Sequence, residues 1–175
     1  MTIRIGSGSA WWGDRISPAE ANAAHGRLDF LCFETMAEAT VSAAQVRKSR
    51  DPSFPGYDTY LEDRFRAVLP HCLANGTRIV SNQGWINPSG AAEKTKEILA
   101  GLGRGDVKVA AVEGALITYR IAALAGPILE TGGDLSDIPG EIVSAEAYMG
   151  AEPIVEALAN GAQIVLTGRV ADPSI

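Results

Sequence analysis

The chain has 175 residues, of which 46% are hydrophobic, 21% charged and 6% aromatic. That supports a globular domain with a real core and excludes a disordered chain, a collagen-like repeat and a disulfide miniprotein. The net charge is −6 and no basic stripe is interleaved with aromatics, which argues against nucleic acid as a partner. No apolar run approaches the roughly 20 residues of a membrane helix, so no membrane role is expected. The first apolar stretch is broken by Arg4 and followed by glycines and Asp14, which is not the pattern of a signal peptide. Cys32 and Cys72 lie in apolar segments and read as reduced core thiols. Together these features predict a reduced, cytoplasmic protein; a small-molecule substrate is the partner expected from the strand-end residues described below.

Strand-like and helix-like segments alternate along the chain. Residues 2–6 read as a short strand, followed by the loop Gly6-Ser7-Gly8-Ser9-Ala10-Trp11-Trp12-Gly13-Asp14. Ser17-Pro18-Ala19-Glu20 has the form of a capping box with proline at the first helical position. Residues 28–33 are a nearly continuous apolar strand. Thr35-Met36-Ala37-Glu38 is a second capping box, opening a helix to about Arg47. The basic cluster Arg47-Lys48-Ser49-Arg50 complements that helix's dipole. A helix from about Tyr60 to Asn75, kinked at Pro70, ends at Gly76. Asn75-Gly76-Thr77 therefore reads as a helix cap leading into a strand rather than a glycosylation acceptor. Residues 78–82 form the third strand, and Asn87-Pro88 caps a helix running to about Leu102. Residues 107–113 are the clearest strand. Residues 126–140, rich in glycine, proline and aspartate, read as a loop or flap. A helix over 147–160 ends at Gly161, and residues 163–167 are the last strand.

Short apolar strands separated by helices predict an α/β fold. The expected form is a mainly parallel sheet with helices on both faces, three layers deep; part of a β/α barrel is the alternative. Residues 1–175 read as a single α/β domain. Because the chain stops just after the fifth strand, it reads as the amino-terminal portion of a longer domain.

Ligands bind at the carboxyl ends of the strands in such a sheet. The candidate substrate-binding residues there are Ser7, Ser9, Trp12, Asp14, Asn82, Asn87, Thr167, Gly168, Arg169 and Asp172. Glu34 and Glu113 each end an apolar strand, where partial desolvation raises a carboxyl pKa and suits proton transfer. Each could instead cap the next helix. Arg169 suits a ligand carboxylate or phosphate, with an ion pair to Asp172 or Glu113 as the alternative. Trp11-Trp12 and Trp85 form either one wall of a pocket or a hydrophobic lid. Gly6-x-Gly8 is tested against the dinucleotide fingerprint and matches it weakly. Trp11 stands where the third glycine would be, and the following helix starts only near Ser17-Pro18. His25 and His71 lack ligand spacing, so no metal site is expected. No strong cofactor motif is present, and the residues alone leave the cofactor unknown.

Several stretches look familiar together. They are Arg4-Ile5-Gly6 leading to Trp12-Gly13-Asp14, Leu28-Asp29-Phe30-Leu31 leading to Glu34 and Glu38, and Lys108-Val109-Ala110 leading to Val112-Glu113-Gly114. The most specific are Ala147-Tyr148-x-Gly150-Ala151-x-Pro153 and Thr167-Gly168-Arg169-Val170-Ala171-Asp172. These stretches resemble the amino-terminal domain of the acyclic terpene utilisation (AtuA-like) family. The resemblance implies a protein of branched terpenoid catabolism, a route that runs through acyl-coenzyme A thioesters. The expected function is catabolic chemistry on a small organic acid or acyl-CoA thioester, by lyase- or hydratase-like proton transfer at Glu34 or Glu113. The alternatives are a non-catalytic binding or assembly component, either a homo-oligomer or joined to pathway enzymes, and a dinucleotide-binding oxidoreductase.

Overall fold

The computed structural model describes residues 2–124 and 126–175. In chain order the elements are β1 (Ile5–Ser9), α1 (Ile16–His25), β2 (Phe30–Phe33), α2 (Glu38–Arg50), α3 (Leu61–Asn75), β3 (Arg78–Ser81), α4 (Pro88–Gly101), β4 (Val109–Val112), α5 (Ile121–Leu124), α6 (Glu152–Ala159) and β5 (Ile164–Thr167). The strands form one parallel sheet in the order β1-β2-β3-β5-β4. This is the expected α/β fold with helices on both faces.

The order explains where the helices lie. From β1 through β4 the chain steps in one direction across the sheet. Right-handed crossovers then put α1, α3 and α4 on one face. The step from β4 back to β5 reverses direction and drops α6 on the other face. The alternating strand side chains fit this division. Leu31, Phe33, Ile79, Ile164 and Leu166 pack with Phe65, Leu69, Ile98 and Leu99 of α3 and α4. Phe30, Cys32, Val80 and Val165 pack with Ile154 of α6, with Val170 and with Ile175. Phe65 and Leu69 are fully buried, each worth about 1.5–3 kcal/mol of hydrophobic burial. A third cluster of Met36, Val41, Ala44, Phe54 and Trp85 sits beside α2.

Four segments differ from the sequence expectation. The first strand runs over Ile5–Ser9, so Gly6 and Gly8 lie in the strand and form no turn. A Cβ at Gly6 would stand 2.4 Å from the Leu28 side chain, and one at Gly8 would stand 2.4 Å from the Phe33 ring. These glycines make room for large neighbours. Neither expected capping box forms. α1 starts after Arg15 without a side-chain cap, and Glu20 lies across from His71 at 3.9 Å. α2 starts after Ala37, also uncapped by a side chain, because the Thr35 hydroxyl is engaged with Trp85 and Asn82. Residues 147–151 are not helical, because Met149 bridges to Val170 in a β-type contact. Two caps form as expected. The Asn87 side chain accepts from Gly90 N at 2.9 Å, and Gly76 ends α3 with φ +71°.

A buried ion pair fixes the loop after β1. Arg64 of α3 pairs with Asp58, and the two side chains are 1% and 0% exposed. The same guanidinium donates to the backbone carbonyls of Trp12 and Asp14. Losing either partner would strand a buried charge.

Candidate functional site

The chain leaves β3 toward the α1/α3/α4 face and leaves β5 toward the α6 face. Neighbouring strands whose exits diverge mark the switch point where α/β sheets bind ligands. Here the gap between the two exits is closed by backbone. A Cβ on Gly84 would lie 2.5 Å from the Thr167 carbonyl oxygen, and one on Gly168 would lie 2.7 Å from that of Trp85. The loops meet at two glycines, and separate cavities flank them.

The first cavity, about 580 Å³, is lined by Ser7, Ser9, Cys32, Glu34, Glu38, Arg169 and Asp172 among others. One Glu34 carboxylate oxygen accepts from Met36 N at 2.9 Å and the other from the Asn82 side-chain amide. Asn82 is fully buried. Its Oδ1 accepts from Thr35 N at 2.7 Å and from the Thr35 hydroxyl at 3.4 Å. Trp85 Nε1 donates to Thr35 Oγ1 at 3.1 Å. Trp85 itself has φ +44°, a left-handed conformation that costs a non-glycine residue of order 1–3 kcal/mol and often marks functional sites. Ser9 Oγ donates to the Glu34 carbonyl at 3.0 Å, and Ser7 Oγ to that of Ser9 at 3.3 Å. Burial pushes the Cys32 thiol up, so it stays protonated.

Arg169 is 2% exposed. Its Nη1 donates to the Met36 carbonyl at 2.6 Å, and its Nη2 donates to Glu38 and to Asp172, each at 2.9 Å. The Tyr148 ring lies 4.2 Å from the guanidinium carbon, and its hydroxyl donates to Glu38 at 2.6 Å. That hydrogen bond, with the Arg169 charge, holds the Glu38 carboxyl below the usual range. The same bond pushes the Tyr148 phenol up. Of the two ion-pair partners considered for Arg169, Asp172 is observed. Glu113 lies elsewhere.

The second cavity, about 460 Å³, is lined by Trp85, Glu113, Tyr119, Glu146, Met149 and Gly168 among others. Glu113 accepts from Ser89 N at 3.3 Å, in the first turn of α4. Glu146 accepts from Gln45 Nε2 at 2.7 Å. Burial pushes its carboxyl above the usual range despite that bond.

The structure thus brings Ser7, Ser9, Glu34, Arg169 and Asp172 together in one cavity and Glu113 with Gly168 in another. Trp12 lines a third space with Phe54 and Trp85. Four other candidates line none of the three. Asp14 folds back on Ala10 N and Trp11 N. Asn87 caps α4 and also donates to the Pro55 carbonyl. Asn82 supports Glu34 from beneath. Thr167 is fully buried, its hydroxyl donating to the Gly168 carbonyl at 2.9 Å. Sequence reasoning missed Glu38, Tyr148 and Glu146 as site residues. Glu146 and Tyr148 are two apart on an extended segment, and both reach α2. An alternating reading of residues 144–149 would have put them on one side; the helical reading of 147–160 hid Tyr148, and Glu146 lay in a stretch assigned to no element. Among the described residues, no group of three or more His, Cys, Asp or Glu is placed to hold a metal ion. No helix there is long and apolar enough to cross a membrane.

Residues 3–175 match the family described as acyclic terpene utilisation family protein AtuA. The chain belongs to this family. No curated protein and no solved structure matches it. The Tyr148-to-Asp172 stretches that carry the resemblance in sequence are those that build the Arg169 cluster. Membership in the AtuA family places the chain in acyclic terpene utilisation.

Proposed function

We propose that the chain carries the catalytic wall of an enzyme acting on a small organic acid or its acyl-CoA thioester, with Glu34 moving the proton. One observation supports this above the others: a carboxylate on the wall of a roomy cavity, with each oxygen already oriented by an N–H donor. Such a group can take the proton from the carbon next to a carbonyl and return it. That step is common to hydration, dehydration and double-bond migration. Ser7 and Ser9 would orient the carbonyl end. A ligand carboxylate would reach Arg169 by displacing Asp172, whose side chain is 85% exposed. The reaction would take place in the cytoplasm, with coenzyme A present only as part of the substrate.

The test is deuterium exchange at the α-carbon of branched 2-enoyl- and 3-hydroxyacyl-CoA thioesters in heavy water, followed by mass spectrometry. Wild type should exchange, and Glu34→Gln should slow exchange at least about 100-fold, the lower range for lost general-base catalysis; the glutamine NH₂ must face one of the two N–H donors, so circular dichroism checks that the variant is folded at the assay temperature. Wild-type exchange in the folded variant would overturn the assignment.

A second reading is favoured by one observation. Tyr119, Leu129, Ile138 and Val143 are exposed apolar side chains in the segment after β4, and such surface often meets a partner. A non-catalytic assembly component, as a homo-oligomer or with pathway enzymes, would use that segment. Stable co-purification of pathway enzymes without turnover of any thioester would support it.

A further inference from the structure

Asn82 follows β3 and is fully buried, and each of its polar atoms has a partner. Its backbone N–H donates to the Phe33 carbonyl at 3.2 Å, and its backbone carbonyl accepts from Trp85 N at 3.1 Å. Its Oδ1 accepts from Thr35 N at 2.7 Å, and its Nδ2 donates to Glu34. A backbone N–H can only donate, so the amide is fixed one way round, oxygen to Thr35 and NH₂ to Glu34. The left-handed turn at Trp85 holds the arrangement from behind, since the Trp85 indole donates to the Thr35 hydroxyl. Met36 N, which meets the other Glu34 oxygen, is only two residues away along the chain. Among the described residues, Asn82 is the single side chain bonded to the Glu34 carboxylate. Each oxygen of that carboxylate keeps a lone pair for the cavity.

We propose that Asn82 is a positioning residue for the proton transfer: it aims the Glu34 carboxylate into the first cavity from within the fold. The assignment rests on the Glu34 reading. Asn82 itself lines none of the three cavities, so it acts through Glu34. The other titratable groups of the first cavity are Cys32 of β2, Glu38 of α2, and Arg169 and Asp172 beyond β5, the last three tied to one another. Asp58, which the Thr35 hydroxyl also reaches, is paired with Arg64. Among the described residues none of these groups bonds Asn82 or the Glu34 carboxylate.

Asn82→Asp keeps the shape and the Thr35 contact and replaces the NH₂ donor with an oxygen. The new carboxyl and Glu34 then titrate as a pair. While the pair holds one proton, the new carboxyl donates to Glu34 as the amide did. Once both ionise, the donor is gone and like charges repel. In the exchange assay with 3-hydroxyisovaleryl-CoA, the variant should work at low pH and lose kcat as pH rises, a falling limb absent from wild type, with KM unchanged. The loss should be at least about tenfold, below the roughly 100-fold cost of a 1 Å misplacement. An equal loss at every pH would mean a structural role alone, and wild-type kinetics throughout would mean no role; either overturns the assignment while Glu34→Gln stays slow. No exchange by wild type, or wild-type exchange in Glu34→Gln, would overturn both readings. A second readout needs no turnover. Glu34→Gln combined with Asn82→Asp swaps donor and acceptor, so the double variant should melt higher than Asn82→Asp alone at neutral pH. Absence of that recovery would show that the two side chains do not meet, which overturns the positioning role whatever Glu34 does.

Discussion

The two cavities at the carboxyl edge are built from adjoining strand ends and carry opposite chemistry. Gly168 borders the second and its neighbour Arg169 the first. In the first, charges are matched: Arg169 sits against Glu38 and Asp172, and Glu34 is held by two N–H donors. In the second, Glu113 and Glu146 meet a backbone N–H and a glutamine amide, with no cation among the described lining residues. The difference comes from topology. The exits of β3 and β5 diverge, and contact at Gly84 and Gly168 fills the crevice that would have joined the two carboxylates. Position at the sheet edge therefore does not by itself define one site.

The partition can be broken at Gly84. An alanine there would put its Cβ 2.5 Å from the Thr167 carbonyl and 2.8 Å from Pro88 Cα. Both neighbours are backbone and cannot swing aside. Gly84→Ala should cost about 3 kcal/mol, the upper range for overpacking, seen as a lower urea midpoint at unchanged slope. A near-neutral variant would show that the loops part easily and that the cavities communicate. A milder change acts on the wall between the cavities, where Thr35 joins Asn82 beneath Glu34 to Trp85 of the second cavity. Thr35→Val removes the acceptor of the Trp85 indole and a partner of Asn82. It should cost about 1–3 kcal/mol, the price of an unsatisfied buried donor. Thermal melting checks the loss, and a shift in tryptophan emission should accompany it.

How much of this was legible in the sequence varies by contact range. Strands three and five fall within a residue of expectation because their apolar runs are bounded by turn residues. Asn87-Pro88 and Gly76 cap as read, since capping is local chemistry. Arg169–Asp172 spans three residues and was foreseen as an alternative, whereas Glu38 lies 131 residues from Arg169 and was not. Gly6 and Gly8 looked like a loop because glycine is rare in strands. Their role depends on Leu28 and Phe33, which only the parallel pairing brings alongside. Residues 147–151 looked helical by spacing, yet Met149 pairs with Val170 across the fold. Gly84 is the extreme case, since nothing local predicts the Thr167 carbonyl beside it.

The smallest expected effect separates the two cavities by the sign of a pH dependence. Burial pushes the Glu146 carboxyl up, so the folded protein keeps that proton to higher pH than the unfolded chain, whose glutamates titrate near about 4.3. Through that window the folded state binds more protons, and stability present at low pH is lost as pH rises through the folded pKa. Glu38 runs the other way. The Tyr148 hydrogen bond and the Arg169 charge hold it down, so its contribution is present above the unfolded pKa and is lost as pH falls through the folded one. Melting temperatures from about pH 3 to about pH 7, a span around the ordinary glutamate pKa, should therefore diverge from wild type in opposite senses for the two variants. For Glu146→Gln, the wild-type advantage should shrink as pH rises. For Tyr148→Phe, which removes the hydrogen bond while keeping the ring over Arg169, it should shrink as pH falls. Both shifts should be small, because Glu146 is only half-buried and Glu38 is exposed, and solvent screens such groups. Parallel curves for the two variants would mean that the matched and unmatched cavities do not differ electrostatically.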